Sequence, residues 1–370
     1  MPITPLKMPK WGLSMQEGLV QAWHVAPGAA IAEGMELVDV ETSKITNVFE
    51  APFAGTLRRI VAQEGETLPV GALLAVLADE AVSEAEIDAF VADFQATFTP
   101  ETEEGAGGGL TEKKVTLADG RTLRATLAGE GDTPVVFLHG FGGDLNNWAL
   151  VQPAVAAGAA TIALDLPGHG ASSKDVGAGD LAALAGAVIA ALDGLGVGRA
   201  HLVGHSLGGA VALAAALAQP ERTASLTLVC PAGLPGTALN ADYLDGFIAA
   251  GRARALAEVL ALLFADPATA TRDMAEEILK SKRLDGVEEA LSTIRAAMAA
   301  PAFAAVGARV GAVRAPLLVL ASRQDRIVGQ PDSAALPTGA GLVWVEGAGH
   351  MPHTEKADAV SAAILAHVTA

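Results

Sequence analysis

Apolar positions in residues 1–80 come in short runs broken by polar, glycine-bearing turns, which is the pattern of strands. Leu37-Val38-Asp39-Val40 and Val48-Phe49 read as two strands, and the polar stretch between them, Glu41–Asn47, reads as the tip of a hairpin. The pattern is also duplicated. Gly18, Gly28, Gly34 and Leu37 are matched by Gly55, Gly65, Gly71 and Leu74, each 37 positions later. Val20 and Ile31 pair with Leu57 and Leu68 in the same way. Two copies of a strand–turn–strand unit predict two similar halves packed face to face, with the hairpin tip in the join between them.

The periodicity then changes. Ser83 followed by Glu86 is a capping box, and Ile87, Phe90, Val91, Phe94 and Phe98 recur at helical spacing, so Val82–Phe98 is predicted to be an amphipathic helix. A helix of this length is not stable alone and has to dock. Packing on a flanking domain is the simpler expectation, and a docking site for a partner enzyme is the sharper one. Thr99–Gly109 is acidic and glycine-rich, the composition of a flexible tether.

Past the tether, Val115–Leu117 and Leu123–Leu127 flank Asp119-Gly120 and read as a hairpin. Apolar runs then alternate with helical stretches. Strands are predicted at Val135–Leu138, Thr161–Leu166, His201–Val203, Leu226–Val229, Leu317–Leu320 and Leu342–Val345. Helices are predicted at Leu181–Leu195, Leu207–Leu217 and Ala357–His367. This alternation argues a mostly parallel sheet covered on both faces by helices. Between about Pro231 and Arg314 the rhythm gives way to helical patterns alone, an insertion expected to cap one end of the sheet. The division is therefore 1–80 for an all-β domain, 81–112 for the helix and linker, and 113–370 for the α/β domain, with a cap at about 231–314.

Composition narrows the partners. The formal charge is −18 and no Lys/Arg cluster occurs, which argues against nucleic acid and anionic membrane as ligands. Met1–Met15 holds three prolines and no apolar core, so no signal peptide is expected. The longest apolar run, Leu181–Leu192, is too short to span a bilayer. A single cysteine, Cys230, excludes an internal disulfide and suits the cytoplasm. At the end of an apolar strand it reads as a buried, inert thiol.

Lys44 is the first candidate for chemistry. A lysine on a tight tip is held in solvent, where a modifying enzyme can reach its amine. Met8-Pro9-Lys10-Trp11-Gly12, Glu17-Gly18 and Glu41-Thr42-Ser43-Lys44, together with the glycine repeat, resemble the lipoyl domains of 2-oxoacid and acetoin dehydrogenase complexes. The resemblance implies a β-sandwich whose Lys44 carries lipoate in amide linkage (N6-lipoyllysine). Ser43 and Ile45 stand where the family usually has Asp and Ala. Biotin carriers share the fold but flank their lysine with methionines, which are absent here. The subunit-binding domain and the His-x-x-x-Asp-Gly motif of ordinary acyltransferase components are also absent, so any chemistry has to come from a different second domain.

Ser206 is the second candidate. Gly204-His205-Ser206-Leu207-Gly208-Gly209 follows a predicted strand and opens a predicted helix, the context of a nucleophile elbow. The Leu207 N–H is placed to hold an oxyanion. The second donor is expected from Leu138-His139-Gly140-Phe141-Gly142-Gly143, with Phe141 preferred. A serine needs a base. His350, in Gly349-His350-Met351-Pro352-His353, is chosen over its rival His353. The two histidines have no third ligand beside them, so a metal site is not expected. The carboxylate is expected from Asp325, with Asp332 as an alternative. The order Ser, Asp, His and the stretch Asp165-Leu166-Pro167-Gly168-His169-Gly170-x-Ser172 resemble the α/β-hydrolase family over residues 113–370. In that family the Asp165–Ser172 motif shapes a loop, so His169, like the motif neighbours His139 and His205, is given no chemical role.

The pairing of these two domains resembles the dihydrolipoyl acetyltransferase components of acetoin dehydrogenase complexes. That resemblance implies movement of an acetyl group from a dihydrolipoyl thiol to CoA. It also implies a thiamine-diphosphate dehydrogenase component and a flavin-dependent dihydrolipoyl dehydrogenase as partners. The number of subunits stays open, homo-oligomers included. Two other classes remain: a serine ester or thioester hydrolase fused to a lipoyl domain, and a carrier subunit with an inert second domain.

Overall fold

The computed structural model describes residues 3–9, 17–32, 34–41, 46–79, 81–98 and 110–369. The chain divides into two units, Met1–Ala106 and Gly107–Ala370.

The first unit contains β1 (Thr4–Lys7), β2 (Glu17–Trp23), β3 (Ala30–Ile31), β4 (Glu36–Glu41), β5 (Thr46–Glu50), β6 (Gly55–Ile60), β7 (Thr67–Pro69) and β8 (Leu73–Leu77). They form two four-stranded sheets, β1-β8-β6-β3 and β5-β4-β2-β7. Exchanging each strand for its counterpart in the other half of the repeat turns one order into the other, so the duplication in the sequence is a two-fold pseudosymmetry in space. The turns agree to the level of single bonds. Gly28 and Gly65 both have positive φ, +94° and +86°. The Gly28 N–H donates to Leu57 O at 2.6 Å, and its counterpart Gly65 donates to Val20 O at 2.8 Å. Val20, Leu37, Leu57 and Leu74 are fully buried between the sheets. β4 and β5 pair antiparallel up to Glu41 opposite Thr46, which leaves 42–45 as the connection. Lys44 is within that connection and lies outside the described residues.

Helix α1 (Glu84–Thr97) begins at the capping box of Ser83 and Glu86. Its docking partner is its own unit: Ile87 is buried with Leu73 and Val76 of β8. Arg59 of β6 binds Glu84 at 2.6 Å and Asp88 at 2.8 Å, and Arg58 binds Glu84 at 2.7 Å. These exposed pairs orient the helix and add little energy. The apolar contact is what holds it.

The second unit is an eight-stranded sheet. Its strands are β9 (Thr111–Thr116), β10 (Thr122–Ala128), β11 (Val135–Leu138), β12 (Thr161–Leu164), β13 (Ala200–His205), β14 (Thr223–Val229), β15 (Leu317–Ala321) and β16 (Gly341–Trp344). The order is β16-β15-β14-β13-β11-β12-β10-β9. From β16 to β12 the pairs are parallel, and β10 and β9 are added antiparallel at one edge. Central strands such as β11 are buried along their whole length, which is why they read as unbroken apolar runs. One face is covered by α3 (Leu181–Gly194) and α4 (Leu207–Ala218), with α2 (Gln152–Ala156) preceding them in the chain. Trp148 and Phe137 pack in the other apolar cluster. The insertion forms α5 (Ala241–Ala249), α6 (Ala253–Leu260), α7 (Arg272–Lys282), α8 (Val287–Ala299) and α9 (Pro301–Gly307). The chain ends in α10 (Pro352–Glu355) and α11 (Ala357–Val368). Among the described residues no single helix is long and apolar enough to cross a membrane. The strand order reverses between β11 and β13, the position at which open α/β sheets bind their ligands.

Candidate active site

Ser206 stands at the carboxyl end of β13, directly before α4, with φ +51° and ψ −116°. A side-chain-bearing residue holds such angles only where its surroundings over-determine them. Here the Ser206 N–H donates to Val229 O at 3.0 Å, and its carbonyl accepts from Gly209 at 3.0 Å and Ala232 at 3.1 Å. The flanking glycines are steric necessities. A Cβ on Gly204 would lie 2.2 Å from Gly208 O, and one on Gly208 would lie 2.3 Å from Leu138 O. The hydroxyl is thereby lifted to the sheet's edge at the amino end of a helix.

The loops after β11 and β12 are joined by two neutral histidines. The Leu166 N–H donates to His139 Nε2 at 3.0 Å, and the Gly142 N–H donates to His169 Nε2 at 3.1 Å. Each ring therefore carries its proton on Nδ1, which faces a carbonyl: Gly140 O at 2.8 Å and Pro167 O at 3.0 Å. Asp165 is fully buried and accepts from the Leu145 and Ala171 N–H groups. The Gly142 and Gly143 N–H groups are both occupied, the latter by Gly140 O at 3.2 Å. Among the described residues no acceptor is bonded to the Phe141 or Leu207 N–H.

Asp325 and His350 come from the loops after β15 and β16 and meet. His350 Nδ1 lies 2.8 Å from Asp325 Oδ2, with both side chains buried. The second oxygen, Oδ1, accepts from Ile327 at 2.8 Å and Val328 at 3.0 Å. Burial alone would raise the Asp325 pKa. The imidazole and these two N–H groups outweigh it and hold the carboxyl below its ordinary value. Asp325 thus accepts from Nδ1–H, which leaves the lone pair of His350 on Nε2. The His350 N–H donates to Leu263 O at 2.7 Å, fixing the loop to the cap.

The alternatives named from the sequence go elsewhere. Asp332 caps the turn Ser333–Ala335 through Ala334. His353 is fully buried between Trp148 and His205, at ring separations of 4.6 Å and 4.4 Å. Among the described residues neither of its nitrogens has a hydrogen-bond partner. His205 donates Nε2–H to His350 O at 2.8 Å and so braces the loop. Glu355 escaped the sequence reading: it receives the Gly349 and Ala265 N–H groups, both at 2.7 Å, and latches the His350 loop to the cap. Its only signal was a carboxylate in a helical turn close to the chosen histidine. Cys230 is buried, and that burial pushes its thiol pKa well up.

Acid should undo this unit through its histidines. Burial pushes both His169 and His353 from 6.5 to about 3. Between those values the unfolded chain binds protons that the folded chain refuses. Stability is therefore complete above about pH 6.5 and falls below it, by about 1.4 kcal/mol per pH unit for each histidine, until about pH 3. The urea midpoint of this unit should drop steadily from about pH 6.5 to about pH 4, and less steeply in His353→Gln. A flat midpoint over that range would contradict neutral burial.

Residues 135–363 match the α/β-hydrolase family, and residues 4–77 match the biotin–lipoyl family, described as biotin-requiring enzymes. The chain is 48% identical over 365 residues to the dihydrolipoyllysine-residue acetyltransferase component of the acetoin cleaving system of Pseudomonas putida, covering 98% of each. It is 43% identical to the component of the same description from Cupriavidus necator, over 99% of this chain and 97% of that one. Among solved structures, the 2-hydroxy-6-oxo-6-phenylhexa-2,4-dienoate hydrolase of a Rhodococcus strain aligns with a TM-score of 0.63 at 26% identity, covering 70% of this chain and 99% of that one.

Proposed function

The chain belongs to the dihydrolipoyllysine-residue acetyltransferase components of acetoin cleaving systems, and from that premise we propose that Ser206, His350 and Asp325 carry the acetyl group through a serine ester on its way to CoA. The observation that carries this reading is the buried 2.8 Å bond between His350 Nδ1 and Asp325 Oδ2, which turns Nε2 into the basic nitrogen.

The first unit fits covalent lipoate. The β4–β5 register closes a four-residue connection, 42–45, with Lys44 in it, at the join of the two pseudosymmetric halves. Bound to Lys44, lipoate supplies the thiol that bears the acetyl group. The chain's own residues do the rest. Ser206 Oγ attacks the thioester carbonyl while His350 Nε2 takes its proton. The Phe141 and Leu207 N–H groups receive the developing oxyanion, and Asp325 stays anionic and steadies the imidazolium. On collapse the C–S bond would break, and His350 Nε2 would deliver its proton to the departing sulfur. The CoA thiol then gives its proton to Nε2 and attacks the acetyl–serine ester. Ser206 Oγ leaves, recovers the proton, and acetyl-CoA is released. The cap can serve this chemistry by excluding water, which would otherwise divert the ester to acetate.

Belonging to an acetoin cleaving system entails further components. A thiamine-diphosphate enzyme would load the thiol and a flavin-dependent dehydrogenase would reoxidise it, and the cytoplasm is the compartment that suits all three. The test is intact-mass and peptide analysis of the full lipoylated chain after addition of S-acetyldihydrolipoamide without CoA. One acetyl group is expected on the peptide holding Ser206, discharged when CoA is added. Steady release of free acetate would make the unit a hydrolase. Acetyl-CoA formation with no trace of modified Ser206 would remove serine from the route.

A further inference from the structure

Cys230 takes no part in this chemistry, yet it adjoins it. β14 ends at Val229, and Cys230 follows with φ +41°, an unusual angle for a residue with a side chain. Its N–H donates to Leu320 O at 2.8 Å, which ties the end of β14 to β15, the strand that leads into Asp325. The thiol sulfur, an Asp325 carboxylate oxygen and a His350 nitrogen consequently lie within 4.8 Å of one another, with the cysteine and the histidine buried. Thiolate, imidazole and carboxylate are the three donor types that zinc takes, with bonds of roughly 2.0–2.3 Å, which in tetrahedral geometry space the donors roughly 3.3–3.8 Å apart. Small side-chain movements close this group on one ion.

We propose that Cys230, Asp325 and His350 form an inhibitory site for a thiophilic divalent cation, zinc foremost. The exchange balances. Zinc replaces the thiol proton, which leaves to solvent, and binds Nδ1 of His350, whose proton moves to Nε2. Asp325 trades its hydrogen bond for a bond to the ion. An imidazole protonated at Nε2 cannot accept the Ser206 proton, so occupancy stops acyl transfer without touching the serine. The inhibition rests on the serine reading above, whereas the binding does not.

The test uses the full chain with its lipoyl group in the disulfide form, so that its thiols do not compete, titrated with zinc chloride. Two quantities are read: zinc retained after gel filtration, and the rate at which a fluorophosphonate labels Ser206. The wild type should retain an additional equivalent of zinc relative to Cys230→Ala and Cys230→Ser. Its labelling should slow by at least about tenfold and recover with chelator, while zinc changes labelling of the variants by less than about twofold. Without zinc, both variants should label within about twofold of the wild type. Equal zinc retention by all three proteins, or equal slowing, overturns the site. If the zinc-free wild type does not label at all, the serine reading fails, and the difference in retained zinc still decides whether the metal site exists.

Discussion

Replacing Ser206 with alanine is expected to lower the rate of acetyl-CoA formation by roughly 10⁴- to 10⁶-fold, a loss of about 5–8 kcal/mol of transition-state stabilisation. The substitution is unusually clean here. Alanine keeps the Cβ, so the strained backbone at φ +51° and its bonds to Val229, Gly209 and Ala232 are asked of it unchanged. Only the oxygen is removed. Lipoylation takes place on the other unit and should be complete by intact mass, and acetyl groups loaded there should persist in the presence of CoA. The competing route has the CoA thiol attack the thioester directly, with His350 as its base and the same two N–H groups holding the oxyanion. That route keeps most of its speed without Ser206. Acetyl-CoA formation within about tenfold of the wild type would therefore replace the serine ester with direct transfer.

Much of this architecture was legible before any coordinates. The 37-residue repeat foretold matched turns because a glycine with positive φ is a local requirement, visible wherever it recurs. The elbow was legible in part for the same reason: Gly204 is demanded by its contact with Gly208 O within a single strand–turn–helix, whereas Gly208 is demanded by Leu138 at the end of β11, a long-range contact. What stayed hidden depends on residues far apart in the chain. The apolar face of α1 announced that it must dock but not that Leu73 and Val76 of β8 would receive it. His350 and His353 are chemically alike and three positions apart. Only the fold shows that one meets a carboxylate and the other is sealed between Trp148 and His205. His139 and His169 are given no chemical role from the sequence, and their use as acceptors for the Leu166 and Gly142 N–H groups depends on which loops lie side by side. The approach of Cys230 to Asp325 is of the same kind, arising from the adjacency of β14 and β15.

Asp325→Asn should be nearly as damaging as loss of the serine, and the hydrogen bonds around the carboxylate show why. Oδ1 is held by two donors, the N–H groups of Ile327 at 2.8 Å and Val328 at 3.0 Å. An asparagine there has to turn its carbonyl oxygen toward those donors, which sends its NH₂ toward His350 Nδ1. A donor facing Nδ1 forces that nitrogen to be the acceptor, so the imidazole proton moves to Nε2 and the base is lost. The expected fall in acetyl-CoA formation is about 10³- to 10⁴-fold, with the KM for CoA little changed and phosphonate labelling of Ser206 slowed in parallel. Asp325→Ala separates tautomer control from simple loss of charge. It removes the anion but imposes no donor, so His350 can still place its proton on Nδ1 for part of the time, and the alanine variant should be at least as active as the asparagine one. An asparagine enzyme clearly faster than the alanine enzyme would mean that the carboxylate acts mainly by filling space and that the tautomer of His350 is set elsewhere.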